Sequence, residues 1–325
     1  MKEITTKGTI SSITSHLDNA ASGFKATWFR GQPSYSHKLL PSIFRQGNNF
    51  GVSLNEQRML NEFKRRYPDQ SSNHKTTYEW LTLMQHYGLP TRLLDWSSNL
   101  LVALYFCCIS EENCDGALYV FDPTYMERDY RFNELLEMQV QEKTRADFFN
   151  RLVHRLPDII NDESRINDVR VGDIKEDITV QVQFFGLSTG SMADFSSLTI
   201  QQRLVNVNDH NGNPVSYVEQ DIIRAFSNIV PFRAPHLNPR IRQQHGLFTF
   251  HGGMFIDGEE FIKVEDMEQD HYAGDSLLKI KVLAKDKSTL LKELEYVGIR
   301  EATLFPEMEY QAKEIKNQFS IYHSQ

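Results

Sequence analysis

The pattern of hydrophobic and polar positions along the chain predicts a mixture of helices and strands. Apolar residues recur at helical spacing in five segments: 53–67, 76–87, 99–110, 287–297 and 306–318. Aromatic and β-branched residues favour strands at 26–30, 116–121 and 277–283. The sequence therefore predicts an α/β (α+β) fold, with a mixed central sheet flanked by helices.

The middle of the chain has a weaker pattern. Residues 124–175 are charged and mostly helical in spacing, 178–185 and 198–207 alternate like strands, and 209–213 carry a turn signal. We expect a single domain over residues 1–325, with a first motif half at 26–123 and a second motif half with a C-terminal α/β segment at 236–325. Residues 124–235 would form a variable helical and loop insertion between them.

Composition and net charge indicate which kinds of molecule the protein could bind. The chain has 325 residues, of which 40% are hydrophobic, so it can bury a sizeable core. Lysine and arginine total 35 and aspartate and glutamate 43, which gives a net charge of −8. This acidic balance argues against broad contact with a nucleic-acid backbone, although it permits one basic pocket for a small anion.

The three cysteines, Cys107, Cys108 and Cys114, lie within one short stretch. Their odd number disfavours a disulfide framework, and their spacing is poor for a metal site, so we expect no metal and expect Cys107 and Cys108 to be buried packing residues. The sequence shows neither a signal-peptide pattern nor an apolar run long enough to span a membrane. We therefore expect a cytoplasmic protein.

The first candidate site is the strand-like run Trp28–Gln32. Its aromatic pair suits a buried strand, and Gly31 would let another backbone or a ligand approach closely. Arg30 would place a planar, permanently charged fork at the strand end, which suits phosphate or carboxylate. Arg30, Gly31 and Gln32 are candidate ligand-binding residues.

The second candidate segment, 85–97, concentrates polar chemistry in an expected loop between two helices. His86 can move protons near neutral pH and is a candidate catalytic residue. The candidate ligand-binding residues of this segment are Thr91, Arg92, Asp95 and Ser97. The alternative is a structural junction, in which Asp95 caps the next helix and Arg92 pairs with Asp95.

Two further segments lie near the C-terminus. In 238–250, Gln243 and Gln244 precede a glycine and a strand, where neutral amides can fix a base, a ribose or a carboxamide, and Arg240 and Gln243 are candidate ligand-binding residues. The alternative is a turn whose side chains bond to nearby backbone. Glu307 follows Pro306 at a predicted helix start, where capping alone would explain an acidic residue. Gln244 and Glu307 complete the candidate catalytic set.

These segments, in this order, resemble the FRG domain family, which is named for its Phe/Tyr-Arg-Gly strand. The resemblance spans residues 26–320 with an unmatched middle, and Gln243–Gly246 departs from the Gln-Gln-Gly of many relatives. The segments that carry the resemblance are 28–32, 39–45, the helix from Glu56, 85–96, 103–106, the strand from Gly116, 238–241, 244–248 and 304–307.

A weaker resemblance is to ADP-ribosyltransferases of the Arg–Ser–Glu type, and it implies NAD as a ligand and a split sheet. Phe29–Gly31 is similar to their aromatic-Arg strand. Ser97-Ser98 with 102–106 is similar to their Ser-Thr-Ser strand and the following helix, although Thr91 competes for the hydroxyl role. Residues 243–248 are similar to their final motif, with amides in place of the usual acid.

The leading hypothesis is a nucleotide-directed enzyme that transfers ADP-ribose from NAD or hydrolyses NAD, in a bacterial or phage conflict system. One alternative is a non-catalytic module that binds a nucleotide or another small anionic ligand. A second alternative is a nucleic-acid binding or hydrolysing protein. Its cations would be Arg30, Arg45, Arg92, Arg240 and Arg242.

Overall fold

The computed structural model describes most of the two motif halves and little of the segment between them. It describes residues 2–5, 8–45, 54–125, 140, 204–208, 214–218, 227, 229–256, 259–268 and 276–320. Two expectations lie mostly or wholly outside the described residues. Of the expected helices of 124–175, only residues 124, 125 and 140 are described, and the expected strand at 178–185 is not described. Among the helices that are described, none is long and apolar enough to cross a membrane.

The elements agree with most of the periodicity. The helices are α1 (Ile10–Ala20), α2 (Glu56–Arg66), α3 (Thr77–His86), α4 (Leu100–Cys108), α5 (Pro239–Gln243), α6 (Lys287–Tyr296), α7 (Glu301–Leu304) and α8 (Met308–Gln318). The strands are β1 (Lys2–Thr5), β2 (Trp28–Gln32), β3 (Leu93–Ser97), β4 (Gly116–Phe121), β5 (Leu204–Asn208), β6 (Pro214–Val218), β7 (Ile229–Phe232), β8 (Gly246–His251), β9 (Met254–Ile256), β10 (Glu259–Ile262) and β11 (Leu277–Val282).

Seven of the described strands form one sheet in the order β1-β11-β4-β2-β3-β8-β7. Strand β1 runs parallel to β11, and the other neighbours are antiparallel. Strands β5 and β6 form a separate antiparallel pair on either side of the predicted turn at 209–213. The mixed α/β fold is therefore confirmed, and both motif halves contribute strands to the central sheet. The single-domain assignment stays a prediction.

The two faces of the sheet bury different apolar clusters. Alternation along the strands sends Trp28, Trp96 and Tyr119 to one face, where they pack together. The opposite face is covered in two places. Helices α4 and α6 pack there on Phe29 and Val120, and helices α2 and α3 pack beside them on Leu93 and Phe250. The candidate segments thus lie around a sheet that is buried on both sides.

Capping residues position the helices next to the candidate site. Thr76 and Glu79 form a capping box at the start of α3, and Gly88 takes a positive φ of 82° just after its end. Asn99 caps α4 by accepting a hydrogen bond from the backbone N–H of Leu101. The alternative role of Asp95 as the cap of this helix is therefore wrong, because Asn99 is the cap.

Two other expectations need correction. Residues 93–97 form the central strand β3 rather than part of a loop between two helices. The polar residue Asp95 obscured the strand pattern, because its side chain is exposed while its neighbours are buried. Helix α2 begins at Glu56 rather than at the start of the predicted segment 53–67, with Asn55 as its cap, and the Glu56 carboxylate accepts hydrogen bonds from Arg92.

Candidate functional site

The junction between β2 and β3 is the most unusual point in the sheet. These strands are joined by one residue pair, Phe29 with Ser97, whereas β2 pairs with β4 over five positions. Beyond that pair, the Arg30 side chain reaches across to β3, and its Nη1 donates a 2.6 Å hydrogen bond to the Asp95 carbonyl. Arg30 therefore satisfies a backbone acceptor that a longer strand pairing would otherwise occupy.

Arg30 remains incompletely paired in this position. Its Nε is buried without a partner among the described residues, and its nearest carboxylate oxygen, Asp95 Oδ2, is 3.9 Å from Nη1. Burial and the nearby Arg45 lower the pKa of Arg30 to about 10, against the opposing effect of Asp95. The guanidinium is still charged at neutral pH, and an added anion would stabilise it.

Gly31 and Gln32 continue β2 with different roles. A Cβ atom on Gly31 would lie 1.8 Å from the carbonyl oxygen of Ala103 in α4, so the close approach predicted for this glycine is made by another backbone. Gln32 is buried and donates from Nε2 to the carbonyl of Lys38 at 3.3 Å, while its Oε1 has no partner among the described residues. Their ligand-binding roles stay predictions.

Arg92 and Thr91 are held by internal contacts just before β3. Arg92 donates from Nε to Glu56 Oε2 at 2.5 Å and from Nη1 to the carbonyl of Gly253 at 3.0 Å. Thr91 donates from Oγ1 to Gln85 Oε1 at 2.5 Å. The acidic partner of Arg92 is Glu56, so the expected pairing with Asp95 is wrong. These contacts give Arg92 a structural role, and its ligand-binding role stays a prediction.

Ser97 and Gln244 connect the end of β3 to the C-terminal segment. Ser97 Oγ donates to the carbonyl of Gln244 at 2.7 Å, and Gln244 Nε2 donates to the carbonyl of Leu304 at 3.2 Å. Gln243 is exposed at the end of α5. Since Ser97 pairs with both Phe29 and Gly246, the three predicted motifs meet on neighbouring strands.

His86, Arg240 and Glu307 form a second cluster. Glu307 Oε1 lies 4.0 Å from His86 Nε2 and 4.0 Å from Arg240 Nη1, while the Arg240 guanidinium lies 4.3 Å from the centroid of the Phe305 ring. Burial and the charge of Arg240 lower the pKa of His86, against the opposing effect of Glu307. The imidazole is therefore neutral at pH 7, as a general base must be.

The two clusters are distinct. Arg30 contacts Asp95, whereas His86 lies beside Tyr87, Glu307 and Arg240, and among the described residues the two side chains share no contact partner. Gln244 contacts both regions: its backbone carbonyl accepts a hydrogen bond from Ser97 on β3, and its side chain donates to the carbonyl of Leu304. The structure therefore brings His86, Arg240 and Glu307 together and keeps Arg30 on a separate element.

Sequence reasoning missed two polar groups that pack against the sheet, one fully buried and one half-buried. His251 is fully buried, its Nε2 lies 3.0 Å from Thr249 Oγ1, and that hydroxyl also accepts a 3.0 Å hydrogen bond from Trp96. Glu268 accepts from both the Tyr119 hydroxyl and Lys279. Strand alternation was the available signal for His251 on β8 and for Lys279 on β11, since both are buried at inward positions. Glu268 lies outside these strands, so alternation gave no signal for it.

The five arginines of the nucleic-acid alternative do not share one exposed surface. Arg92 is buried against Glu56, and Arg30 is only 14% exposed. Arg242 is exposed, and Arg45 donates to the carbonyl of Leu40. Within the described ranges, no three His, Cys, Asp or Glu residues are grouped so that they could hold a metal ion.

One known protein family matches a stretch of the chain that includes part of this site. Residues 25–116, which include β2, β3 and the intervening helices, match the FRG domain. The chain therefore contains an FRG domain over that stretch, as the sequence motifs indicated. No curated protein and no solved structure matches the chain.

Proposed function

We propose that this protein binds an anionic nucleotide at the β2–β3 junction, with Arg30 as the cation that holds a phosphate group. The observation that carries the proposal is the state of Arg30. Its guanidinium is largely buried, its Nε has no partner among the described residues, and its nearest carboxylate is 3.9 Å away. A buried charge without close compensation is costly, and a bound phosphate would offset that cost through paired hydrogen bonds.

The neighbouring strand ends support NAD as the first nucleotide to test. Ser97 and Gly246 lie in register with Phe29, so the aromatic-Arg strand, the serine strand and the amide-bearing turn are adjacent. This is the order of elements that the resemblance to ADP-ribosyltransferases implies. In the catalytic version, the bond between nicotinamide and ribose C1′ breaks and its electron pair leaves with nicotinamide. Water or an acceptor hydroxyl adds at C1′ and loses a proton.

The catalytic version needs polar groups near the reacting carbon. His86, Gln244 and Glu307 remain the candidates, with Glu307 or His86 in the place of the missing acid of the third motif. An oxocarbenium-like state at C1′ would be stabilised by a nearby carboxylate.

Calorimetric titration of the full chain with NAD tests the binding step. Wild type should give saturable heat, Arg30→Ala should weaken binding at least 100-fold, and Arg30→Lys should retain partial binding because it keeps the charge but loses the fork. Arg65→Ala is the matched control, since Arg65 is exposed on α2 and pairs only with Glu62 among the described residues. Absence of heat with folded wild type would reject NAD as the ligand.

A second candidate function is nucleotide binding without turnover. It is favoured by the separation of Arg30 from His86 and Glu307, and by amides at the position of the usual acid. Mass analysis of the reaction mixture distinguishes the two functions. Free nicotinamide from wild type, lost in Arg30→Ala, supports the enzyme. Saturable binding with intact NAD supports the binding module.

A further inference from the structure

A cavity of about 360 Å³ lies between the end of α3 and the turn that precedes α8. This volume falls within the range of small-molecule sites. The side chains that matter for its chemistry are Gln70, Asn73, His86, Tyr87 and Glu307. They come from separate parts of the chain, so the cavity is formed by tertiary packing.

The polar groups of this cavity are not used by the protein itself. Among the described residues, Glu307 Oε2 is buried without a hydrogen-bond partner, and the nearest side-chain nitrogens to Oε1, on His86 and Arg240, are 4.0 Å away, beyond hydrogen-bonding distance. Within the part of the chain that the structure describes, the side chains of Gln70, Asn73 and His86 also make no hydrogen bond. A buried carboxylate oxygen without a donor is costly, and a ligand that donates to it removes that cost.

The charge around Glu307 selects a neutral ligand. Arg240 already lies near the carboxylate, and a cationic ligand would be repelled by that guanidinium at close range. The carboxylate can accept two parallel hydrogen bonds, so the best match is a planar edge with two adjacent N–H donors.

One wall of the cavity offers a surface for a planar ring. Tyr87 is 69% exposed, and its ring makes a T-shaped contact with the His86 imidazole, with centroids 4.7 Å apart. The exposed part of this ring offers a surface for stacking, the interaction by which aromatic side chains hold bases.

We propose that this cavity binds a neutral planar base with two adjacent N–H donors, the arrangement on the pairing edge of guanine, with Glu307 as the acceptor and Tyr87 as the stacking surface. The proposal goes beyond nucleotide binding at Arg30 and does not depend on it, because the recognition uses a base edge and no phosphate. It gives Glu307, which is also a catalytic candidate, a role in recognition.

Titration of the folded full chain with guanosine tests the proposal. Guanosine should bind saturably. Inosine, which lacks the exocyclic amine, should bind at least tenfold more weakly, and 1-methylguanosine should not bind, because a site with buried acceptors discriminates against ligands that leave them unpaired. N-acetylarginine amide, which offers the same donor pair on a cation, should bind more weakly than guanosine. Equal binding of guanosine and inosine, tighter binding of the arginine derivative, or no binding of guanosine overturns the proposal.

Protein variants then locate the site. Glu307→Gln should weaken guanosine binding at least tenfold with little change in melting temperature, because one acceptor becomes a donor. Glu309→Gln, at an exposed position outside the cavity lining, is the matched control and should bind as wild type does. Arg30→Ala should lose NAD and keep guanosine, so failure at one site is distinguishable from failure at the other. If Glu307→Gln does not fold, the ligand comparison on wild type decides the outcome.

Discussion

At the scale of single residues, the partners of the buried charged side chains were the hardest feature of this fold to predict from the sequence. The sequence indicated that Arg92 would be important, but its partner Glu56 lies 36 residues earlier, whereas the partner weighed from the sequence was Asp95. A distant ion pair leaves no local spacing signal, because only the folded chain brings the two groups together. In contrast, Arg30 was recognisable from its place at a strand end, which is a local property.

The Arg92–Glu56 pair provides a stability prediction at the residue scale. Both side chains are about 5% exposed, and Arg92→Met leaves a buried carboxylate without its cation. We expect a loss of about 3–5 kcal/mol in the free energy of unfolding, measured by urea titration. Arg65→Met breaks an exposed pair with Glu62 and serves as the comparison. Equal midpoints for the two variants would contradict a structural role for Arg92.

His251 provides a prediction about pH. Burial, together with the charges of Arg30 and Arg92, lowers the pKa of His251 to about 3 from a usual value of 6.5. Between these values the unfolded chain binds a proton that the folded chain does not, so stability falls as the pH drops from 6.5 towards 3. The slope from this group is about 1.4 kcal/mol per pH unit.

Urea titrations between pH 4 and 7 measure this slope. His251→Gln should flatten the dependence relative to wild type, because it removes the titrating group. His236→Gln changes an exposed histidine and should leave the dependence unchanged. Identical pH dependence for wild type and His251→Gln would show that this imidazole does not govern acid stability.

At the scale of elements, periodicity predicted the helices well and the strands less completely. Helix α6 and strand β4 were confirmed nearly to the residue, since each has a clear apolar pattern. Strand β3 was missed because its middle residue, Asp95, is polar and faces outward at the β2–β3 junction. The candidate site was thus predictable as a set of segments, whereas its division into two clusters depends on sheet order.

The packing of β2 on α4 gives the prediction at this scale. Gly31→Ala would place a Cβ atom 1.8 Å from the Ala103 carbonyl and 2.6 Å from the Cys107 amide, so the strand or the helix must shift. We expect a destabilisation of about 1–3 kcal/mol or more in urea titrations. Gly23→Ala, which meets nothing within 4 Å, is the control. Wild-type stability in Gly31→Ala would mean that β2 and α4 are not closely packed.

At the scale of the whole molecule, the residues that match the FRG domain form only part of the central sheet. The matched residues 25–116 contain β2 and β3 but only the first residue of β4. In the sheet, β2 lies between β3 and β4, and β3 lies between β2 and β8. The matched segment therefore holds two strands joined by one residue pair, while their extensive pairings are with β4 and β8.

This arrangement predicts that residues 25–116 alone do not fold. Without β4 and β8, the inward side chains of β2 and β3 lose most of the cluster that contains Trp28 and Trp96, and a two-stranded pairing is marginal in water. The isolated segment should show no cooperative transition in urea, whereas the full chain should unfold cooperatively under the same conditions. A cooperative transition in the segment would mean that its helices suffice to hold the two strands. The site around Arg30 would then be independent of the C-terminal half, contrary to the register of β3 with β8.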